Sequence, residues 1–296
     1  MSKITTCQVG IDWGSSSFRA YHFDQQFCLI DSVESKKGIK YVVDGAFEEC
    51  LFSLVGQWLQ PGDTVLLSGM ITSRNGWVET PYIAIPTTPD GLIKRAVHRI
   101  VRDIRLVFLP GLSQDYPRTD VLRGEELQLF GATRTMENAL VVMPGTHSKW
   151  AQLKNGEVVA FQTIVTGELF DVLLTNTLVG QLATEKRLYK GVFAQGVQQG
   201  YESGKIVSEL FQCRSRVLLG KLAEHEVHSY LSGLLIGNEI SEAVSSGASD
   251  SGVIVLVGSD ALCQRYQLAF DCLHIDAIQA DSATTTRAFA QLMALL

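Results

Sequence analysis

Asp12 ends a short apolar run, Val9-Gly10-Ile11, and Trp13 leads from it into Gly14-Ser15-Ser16-Ser17. That order suits phosphate binding. Glycine lets a ligand approach the backbone, and successive N–H groups with small hydroxyls beside them form an anion cradle. A carboxylate at the edge of the cradle can hold Mg²⁺, which takes one or two carboxylates and completes its shell with phosphate oxygens and water. A polar hairpin with a serine-rich turn uses the same residues, so this stretch alone supports both readings.

The totals narrow the classes. The chain has 296 residues, 46% of them hydrophobic, enough for about two domains with sizeable cores. A net charge of −6 argues against general nucleic-acid binding, which needs Lys and Arg to neutralise phosphates. Cys7, Cys28, Cys50, Cys213, Cys263 and Cys272 include no CxxC pair and read as free thiols of a reducing compartment. No signal-peptide core follows Met1, no apolar run is long enough for a bilayer, and no basic run points to a membrane surface. The expectation is a cytoplasmic protein with small-molecule partners and neither nucleic acid nor membrane among them. A homodimer is compatible with it.

Strands are expected over Cys7 to Asp12, Ser17 to Phe23 and Phe27 to Val33, the last two antiparallel through Asp24-Gln25-Gln26. A helix follows from Phe47 to Leu59, with Phe47, Leu51, Leu54, Val55 and Trp58 on one face. Buried strands over Thr64 to Ser68 and Ile104 to Leu109 deliver the loops Gly69 to Trp77 and Pro110-Gly111-Leu112, and the polar stretch to Asp120 reads as loop. Gly124 to Thr135 reads as a helix. A second unit starts near Asn138 with a strand over Ala139 to Met143, the turn Pro144 to Ser148, a strand over Lys149 to Leu153, the hairpin signal Asn155-Gly156, and a return over Val158 to Ile164. It repeats the opening: Gly14 aligns with Gly145, Ser15 with Thr146, Ser17 with Ser148 and Ala20 with Ala151. Asp12 meets Met143, so one copy alone carries an acid. Beyond it come helices from Thr166 to Val179, within Leu182 to Ser215, and from Glu226 to Ala243, where Gly233 and Gly237 would admit a close neighbour. Ser245 to Gly252 reads as loop, Val253 to Val257 as a fully buried strand ending in Gly258-Ser259, Leu273 to Ile278 as a last strand and Ser282 to Leu296 as a last helix.

Two such units, with a late strand ending in Gly-Ser, resemble the actin-like ATPase and sugar-kinase superfamily. IDWGSSSFRA is similar to the opening motif of the glycerol and xylulose kinase group. SGMITSRNGWVETPY, LPGL, DVLRGEELQLFGA, MPGTHSKW, TGELFDVLL and SGLLIGNE together resemble the 2-dehydro-3-deoxygalactonokinase family over nearly the whole chain. The resemblance implies an α/β fold of two actin-like (ribonuclease H-like) domains with a central nucleotide and substrate cleft. Residues 1–135 would form the N-terminal domain and 136–296 the C-terminal one, the last helix being a candidate to pack back on the first. It further implies ATP and Mg²⁺ as cofactors and phosphorylation of the 6-hydroxyl of 2-dehydro-3-deoxy-D-galactonate. A kinase of another sugar or polyol and a non-catalytic nucleotide-binding regulator are the alternatives.

On that resemblance, Asp12 organises the metal and Gly14, Ser15, Ser16 and Arg19 attend the phosphates. Gly145, Thr146 and His147 close on them from the second domain, and Gly258 and Ser259 lie under the nucleoside. A sugar hydroxyl needs a carboxylate to take its proton. In related kinases that acid opens a helix in a run ending Leu-Phe-Gly; here the run is Arg123 to Gly131, one residue out of step and with Glu for Asp. Glu125 is the first choice for the base, followed by Asp120 and Glu126. The substrate carboxylate calls for arginine, whose planar fork makes paired hydrogen bonds. Arg74, with Asn75 and Trp77, is the first candidate, then Arg123; Lys149 would place positive charge near the transferring group. Each has a plain alternative as a turn, capping or surface residue.

Overall fold

The computed structural model describes residues 8–245 and 252–296. Cys7, at the start of the expected first strand, and residues 246–251 of the expected loop lie outside them. The described chain forms two compact units. One takes the chain up to Glu137, Gly156–Ala160 and Asp281–Leu296; the other takes Asn138–Asn155 and Phe161–Ala280.

The first unit runs β1 (Gln8–Trp13), β2 (Phe18–Phe23), β3 (Leu29–Ser35), α1 (Phe47–Val55), β4 (Thr64–Ser68), β5 (Ile83–Ala84), α2 (Pro89–Lys94), β6 (Val97–Val101), β7 (Ile104–Phe108), β8 (Leu112–Gln114), β9 (Asp120–Leu122) and α3 (Glu125–Ala132). Its main sheet has the order β3-β2-β1-β4-β7-β6, and β5-β8-β9 form a small separate sheet. In the second unit β10 (Ala139–Met143), β11 (Ser148–Lys154) and β12 (Glu157–Ile164) precede α4 (Thr166–Asn176), α5 (Lys190–Ser203), α6 (Ile206–Leu218), α7 (Val227–Ser245), β13 (Val253–Leu256), α8 (Asp260–Cys272) and β14 (Ala277–Gln279). That sheet runs β12-β11-β10-β13-β14. The second sheet therefore sets its third, second, first, fourth and fifth strands in the ribonuclease H-like order, and the first sheet matches it with β7 in the fifth place and β6 beyond it at the edge. The second strand is antiparallel and the fourth parallel to the first in both.

Side chains alternate across a strand, so each face is fixed by register. Val9, Ile11 and Trp13 join Phe18, Leu51, Val65, Leu67 and Phe108 in one core cluster. Gly10 and Asp12 point to the other face. There α9 (Thr284–Met293) returns to the first unit, and a Cβ added at Gly10 would lie 2.4 Å from the Phe289 ring. Gly131 of α3 likewise admits the backbone at Thr284, whose carbonyl would be 1.9 Å from an added Cβ. In the second unit α5 and α7 cross backbone to backbone. Cβ atoms at Gly196, Gly200, Gly233 and Gly237 would each fall 2.1–2.3 Å from a carbonyl of the opposing helix, which gives Gly233 and Gly237 the packing role expected of them.

Several expectations need correction. The stretch read as loop up to Asp120 contains β8 and the start of β9. β6 and α2 carry no strong sequence signal: β6 is an edge strand with Ile100 exposed, and its turn to β7 is Arg102-Asp103, both at positive φ, where Asn-Gly is the usual mark. α3 stops at Ala132, and the Thr133 hydroxyl donates to the Leu129 carbonyl. β13 is exposed at Val253, and β14 is confined to Ala277–Gln279 because α8 runs to Cys272. The alignment of the two units shifts by one residue. Ala20 pairs with Ile11, whereas Ala151 pairs with Val141, so Asp12 corresponds to Val142 and the second turn is one residue longer. The position remains apolar in the second copy.

Candidate active site

The first turn is held from behind. Trp13 is buried edge-on to Phe18 and Phe47, with centroids 4.9 and 5.9 Å away, and its Nε1 donates to the Lys37 carbonyl at 2.9 Å. Gly14 N–H closes the turn on the Ser17 carbonyl at 2.9 Å, and the Gly14 and Ser15 carbonyls accept from Ile39 and Lys40 N–H. A Cβ at Gly38 would come within 2.4 Å of the Ser15 carbonyl, so this backing depends on glycine. The Ser15 and Ser16 N–H groups are left exposed with no partner among the described residues. Such groups are the elements of a phosphate cradle.

Asp12 sits beside this turn at the sheet's edge of charge. Its register partners are Arg19 and Ser68. Burial pushes its carboxyl up to about 6; Arg19 pulls it back and Glu125 pushes it further up. Arg19 Nη1 stands 4.0 Å from Asp12 Oδ2, and its Nε donates to Glu34 at 3.0 Å. Two glycines bring α3 to this carboxylate. Gly69 has φ +93°, and a Cβ there would lie 3.1 Å from Asp12 Oδ1; Gly124, at φ +104°, would place a Cβ 3.3 Å from Gly69 Cα.

The three acids considered as bases are held differently. Glu125 is half-buried; one oxygen accepts from Arg123 N–H at 2.9 Å, and the other has no hydrogen-bond partner among the described residues. Glu126 is fully buried. It accepts the Ser68 hydroxyl at 2.7 Å and Gly124 N–H at 2.6 Å, and burial pushes it up to about 7. It fastens α3 to β4 and has no free oxygen. Asp120 begins β9, accepts from Val121 N–H at 2.7 Å, and is not among the charges that shift Asp12.

The substrate candidates separate as well. Arg74 and Asn75 are exposed on the loop after β4. Trp77 packs against Phe47 and Phe108, with centroids 6.5 and 5.7 Å away, and so serves the core. Arg123 is bound up inside the protein. Its Nη1 donates to the Thr72 carbonyl and to the Thr72 and Thr80 hydroxyls, its Nη2 to the Thr80 carbonyl at 3.0 Å, and the guanidinium lies 4.3 Å over the Tyr82 ring. It braces the loop that carries Arg74.

In the second unit Thr146 and His147 are exposed and Gly145 is half-buried. The start of α4 supports them: Glu168 N–H donates to the Thr146 carbonyl at 2.9 Å, and a Cβ on Gly167 would lie 2.3 Å from the Gly145 carbonyl. His147 Nε2 lies 2.5 Å from Glu168 Oε2 at the surface. Lys149 is buried, with Nζ donating to the Thr163 hydroxyl at 2.7 Å. Gly258, at φ +152°, faces the Pro144 carbonyl, 3.6 Å from where its Cβ would be, and Ser259 is exposed beside it. A small hollow of about 50 Å³ opens next to Gly145, walled by Phe170, Ile236, Leu262 and Arg265.

Sequence reasoning passed over Ser68, Gly69 and Glu239. Glu239 is fully buried on α7 and accepts from Trp150 Nε1 at 2.8 Å and Tyr266 Oη at 2.7 Å. Its signal was available: it follows Leu235 by four residues, on the apolar face of a helix where an unpaired acid would be costly.

The chain matches a family model described as 2-keto-3-deoxy-galactonokinase over residues 12–292. It is 32% identical over 283 residues to 2-dehydro-3-deoxygalactonokinase of Escherichia coli (strain K12), covering 95% of each chain. It is 34% identical to a probable 2-dehydro-3-deoxygalactonokinase of Rhizobium meliloti (strain 1021), covering 92% of each. The crystal structure of a candidate 2-dehydro-3-deoxygalactonokinase from Sinorhizobium meliloti superposes with a TM-score of 0.88 at 32% identity, over 98% of this chain and 97% of that one. Component A of the (R)-2-hydroxyglutaryl-CoA dehydratase of Acidaminococcus fermentans, at 12% identity and a TM-score of 0.50 over 98% and 97%, shares the fold alone. The chain belongs to the 2-keto-3-deoxy-galactonokinase family.

Proposed function

We propose that the protein transfers the γ-phosphoryl group of ATP to the 6-hydroxyl of 2-dehydro-3-deoxy-D-galactonate, giving the 6-phospho sugar acid and ADP in galactonate catabolism. The observation that carries the reading is a family match running from Asp12 to residue 292, with Asp12 itself beside exposed turn N–H groups and one partly open carboxylate, Glu125.

Phosphoryl transfer is mainly a matter of position and charge. Ser15 and Ser16 N–H would hold phosphate oxygens, with Gly14 giving access and Arg19 adding charge. Gly145, Thr146 and His147 form a second turn of the same kind and are the further candidates for phosphate, and Gly258 and Ser259 are the candidates for the nucleoside. Lys149 is spoken for by Thr163 and would contribute charge from within the sheet. Mg²⁺ fits Asp12: a carboxylate forced up by burial and a neighbouring Glu125 gains from a cation. Among the described residues no group of three His, Cys, Asp or Glu forms a metal cage. That suits an ion completing its shell with phosphate and water. When bound, the ion would neutralise developing charge on the phosphates. Glu125 would take the hydroxyl proton on its open oxygen, and Arg74 would meet the sugar carboxylate.

An acceptor panel with ATP and Mg²⁺, with the position of the phosphate determined in the product, tests the reading. Turnover of the keto-deoxy sugar acid with phosphate at C6 is expected. Activity confined to glycerol, xylulose or another neutral acceptor would overturn it.

A further inference from the structure

Three of the sequence motifs meet at one buried side chain. Glu239 closes SGLLIGNE on α7. Its Oε1 accepts the indole N–H of Trp150 at 2.8 Å, from MPGTHSKW. Its Oε2 accepts the Tyr266 hydroxyl of α8 at 2.7 Å. The hydroxyls of Ser148 and of Thr166, the first residue of TGELFDVLL, also donate to the carboxylate. Ser148 Oγ and Tyr266 Oη lie 3.1 Å apart, so the ring of contacts is closed. Glu239, Ser148, Tyr266 and Thr166 are all buried.

The position of these donors gives the network its meaning. Ser148 opens β11, where the second turn ends, and Thr166 is the first residue of the helix on which that turn rests. Between them, Gly167 lets the Gly145 carbonyl come close, and Glu168 N–H holds Thr146. Glu239 therefore ties both ends of the turn's seat to α7. A carboxylate suits this position because every partner is a donor. Ionised, it accepts all of them; hydrogen bonds to a charged acceptor are about twice as strong as neutral ones. Charge in a dry interior survives only when so satisfied.

We propose that Glu239 is a positioning residue for nucleotide phosphate: it sets the geometry of Gly145, Thr146 and His147 without touching the ligand. The proposal rests on the function given above. It separates the nucleotide side of the reaction from the sugar side, because the network contains no residue of the Arg74 loop or of α3.

Glu239→Gln is the test. The amide oxygen can keep the Trp150 bond while the hydroxyls turn to accept from the amide nitrogen, so the change replaces one acceptor oxygen by a donor with little change of shape. Steady-state kinetics with both substrates should show KM for ATP raised at least tenfold and kcat lowered 10- to 100-fold, on the scale of losing preorganised donors. KM for the sugar acid should stay within twofold. Equal changes in both KM values, or none, would overturn the proposal. Should Glu239→Gln fail to fold, Thr166→Val and Tyr266→Phe each remove one donor, and each should raise KM for ATP roughly threefold with the sugar-acid KM unmoved; an unchanged ATP KM in both would overturn it. If the wild type turns over no sugar acid, the proposed function falls instead. Calorimetric titration of ADP into wild type and Glu239→Gln then reads the positioning role directly, with equal affinity counting against it.

Discussion

At the end of β1 one row across the first sheet reads Arg19, Asp12, Ser68; at the same register the second sheet reads Trp150, Val142, Leu256. Both rows lie under a helix that contributes a fully buried glutamate. In the first unit Glu126 takes the hydrogen of Ser68, and in the second Glu239 takes the hydrogen of Trp150. The scaffold is repeated down to its buried acceptor, whereas the polar row occurs once. Chemistry that needs a charge at the sheet's end is thus confined to one copy. The other copy, with apolar Val142 and Leu256 inside its core cluster, offers a rigid seat. On the proposed function, the first turn would carry the charged chemistry and the second would serve as a seat.

Asp12→Asn tests that difference most severely. Turnover should fall about 1,000-fold and its Mg²⁺ dependence should weaken, because one charge aimed at the reacting phosphates is lost. The same variant carries a signed prediction for stability. Folding raises the Asp12 pKa to about 6. The folded state therefore binds the extra proton between the unfolded value, near 4, and 6, and this group's contribution to stability is lost as pH rises through that window. At pH 7 without metal or nucleotide, Asp12→Asn should raise the Tm, the relieved cost being of the order of 3 kcal/mol. Wild-type kcat/KM should decline below pH about 6 as Asp12 of the free enzyme takes up its proton. A variant that lowers the Tm at pH 7 would show that the carboxylate is not strained by burial.

Glu125→Gln should reduce kcat by 100- to 1,000-fold with the sugar-acid KM retained, the range typical of a lost general base. Near-normal turnover would pass the role to Asp120, since Glu126 has both oxygens engaged. Arg74→Ala should raise the sugar-acid KM about tenfold and leave the Tm unchanged. Arg123→Ala should instead lower stability by about 2–4 kcal/mol, as several buried hydrogen bonds go with it. Thermal melts of the two arginine variants, read beside their KM values, tell the binding residue from the brace. His147→Ala should have the smallest effect, less than threefold on kcat, because its bond to Glu168 is exposed to water.

Much of this was legible in the sequence. Gly-hydroxyl residues after apolar strands mark both turns, and Asn155-Gly156 marks the hairpin between β11 and β12. Asp12 stands out because an acid ends an otherwise apolar strand. The rest was hidden for identifiable reasons. The turn at Arg102-Asp103 uses residues that do not advertise a hairpin. The register shift between the units depends on one extra residue in the second turn, which an ungapped alignment cannot see. Arg123 and Trp77 have the composition of binding residues, and only packing shows that Thr72, Thr80, Phe47 and Phe108 already occupy them.

The return of α9 to the first unit bears on how the chain is made. β1 is synthesised early, yet the face of it that carries Gly10 stays bare until Phe289 arrives, after the whole second unit has been added. Domains ordinarily fold as they emerge, at about 5–20 residues per second. Here the apolar slot beside Gly10 stays open for roughly 15–55 seconds while the chain from Gly10 to Phe289 is made, and the second unit is complete by Ala280, before the slot is filled. A released chain truncated after residue 280 should consequently yield to protease within the first unit and resist it within the second.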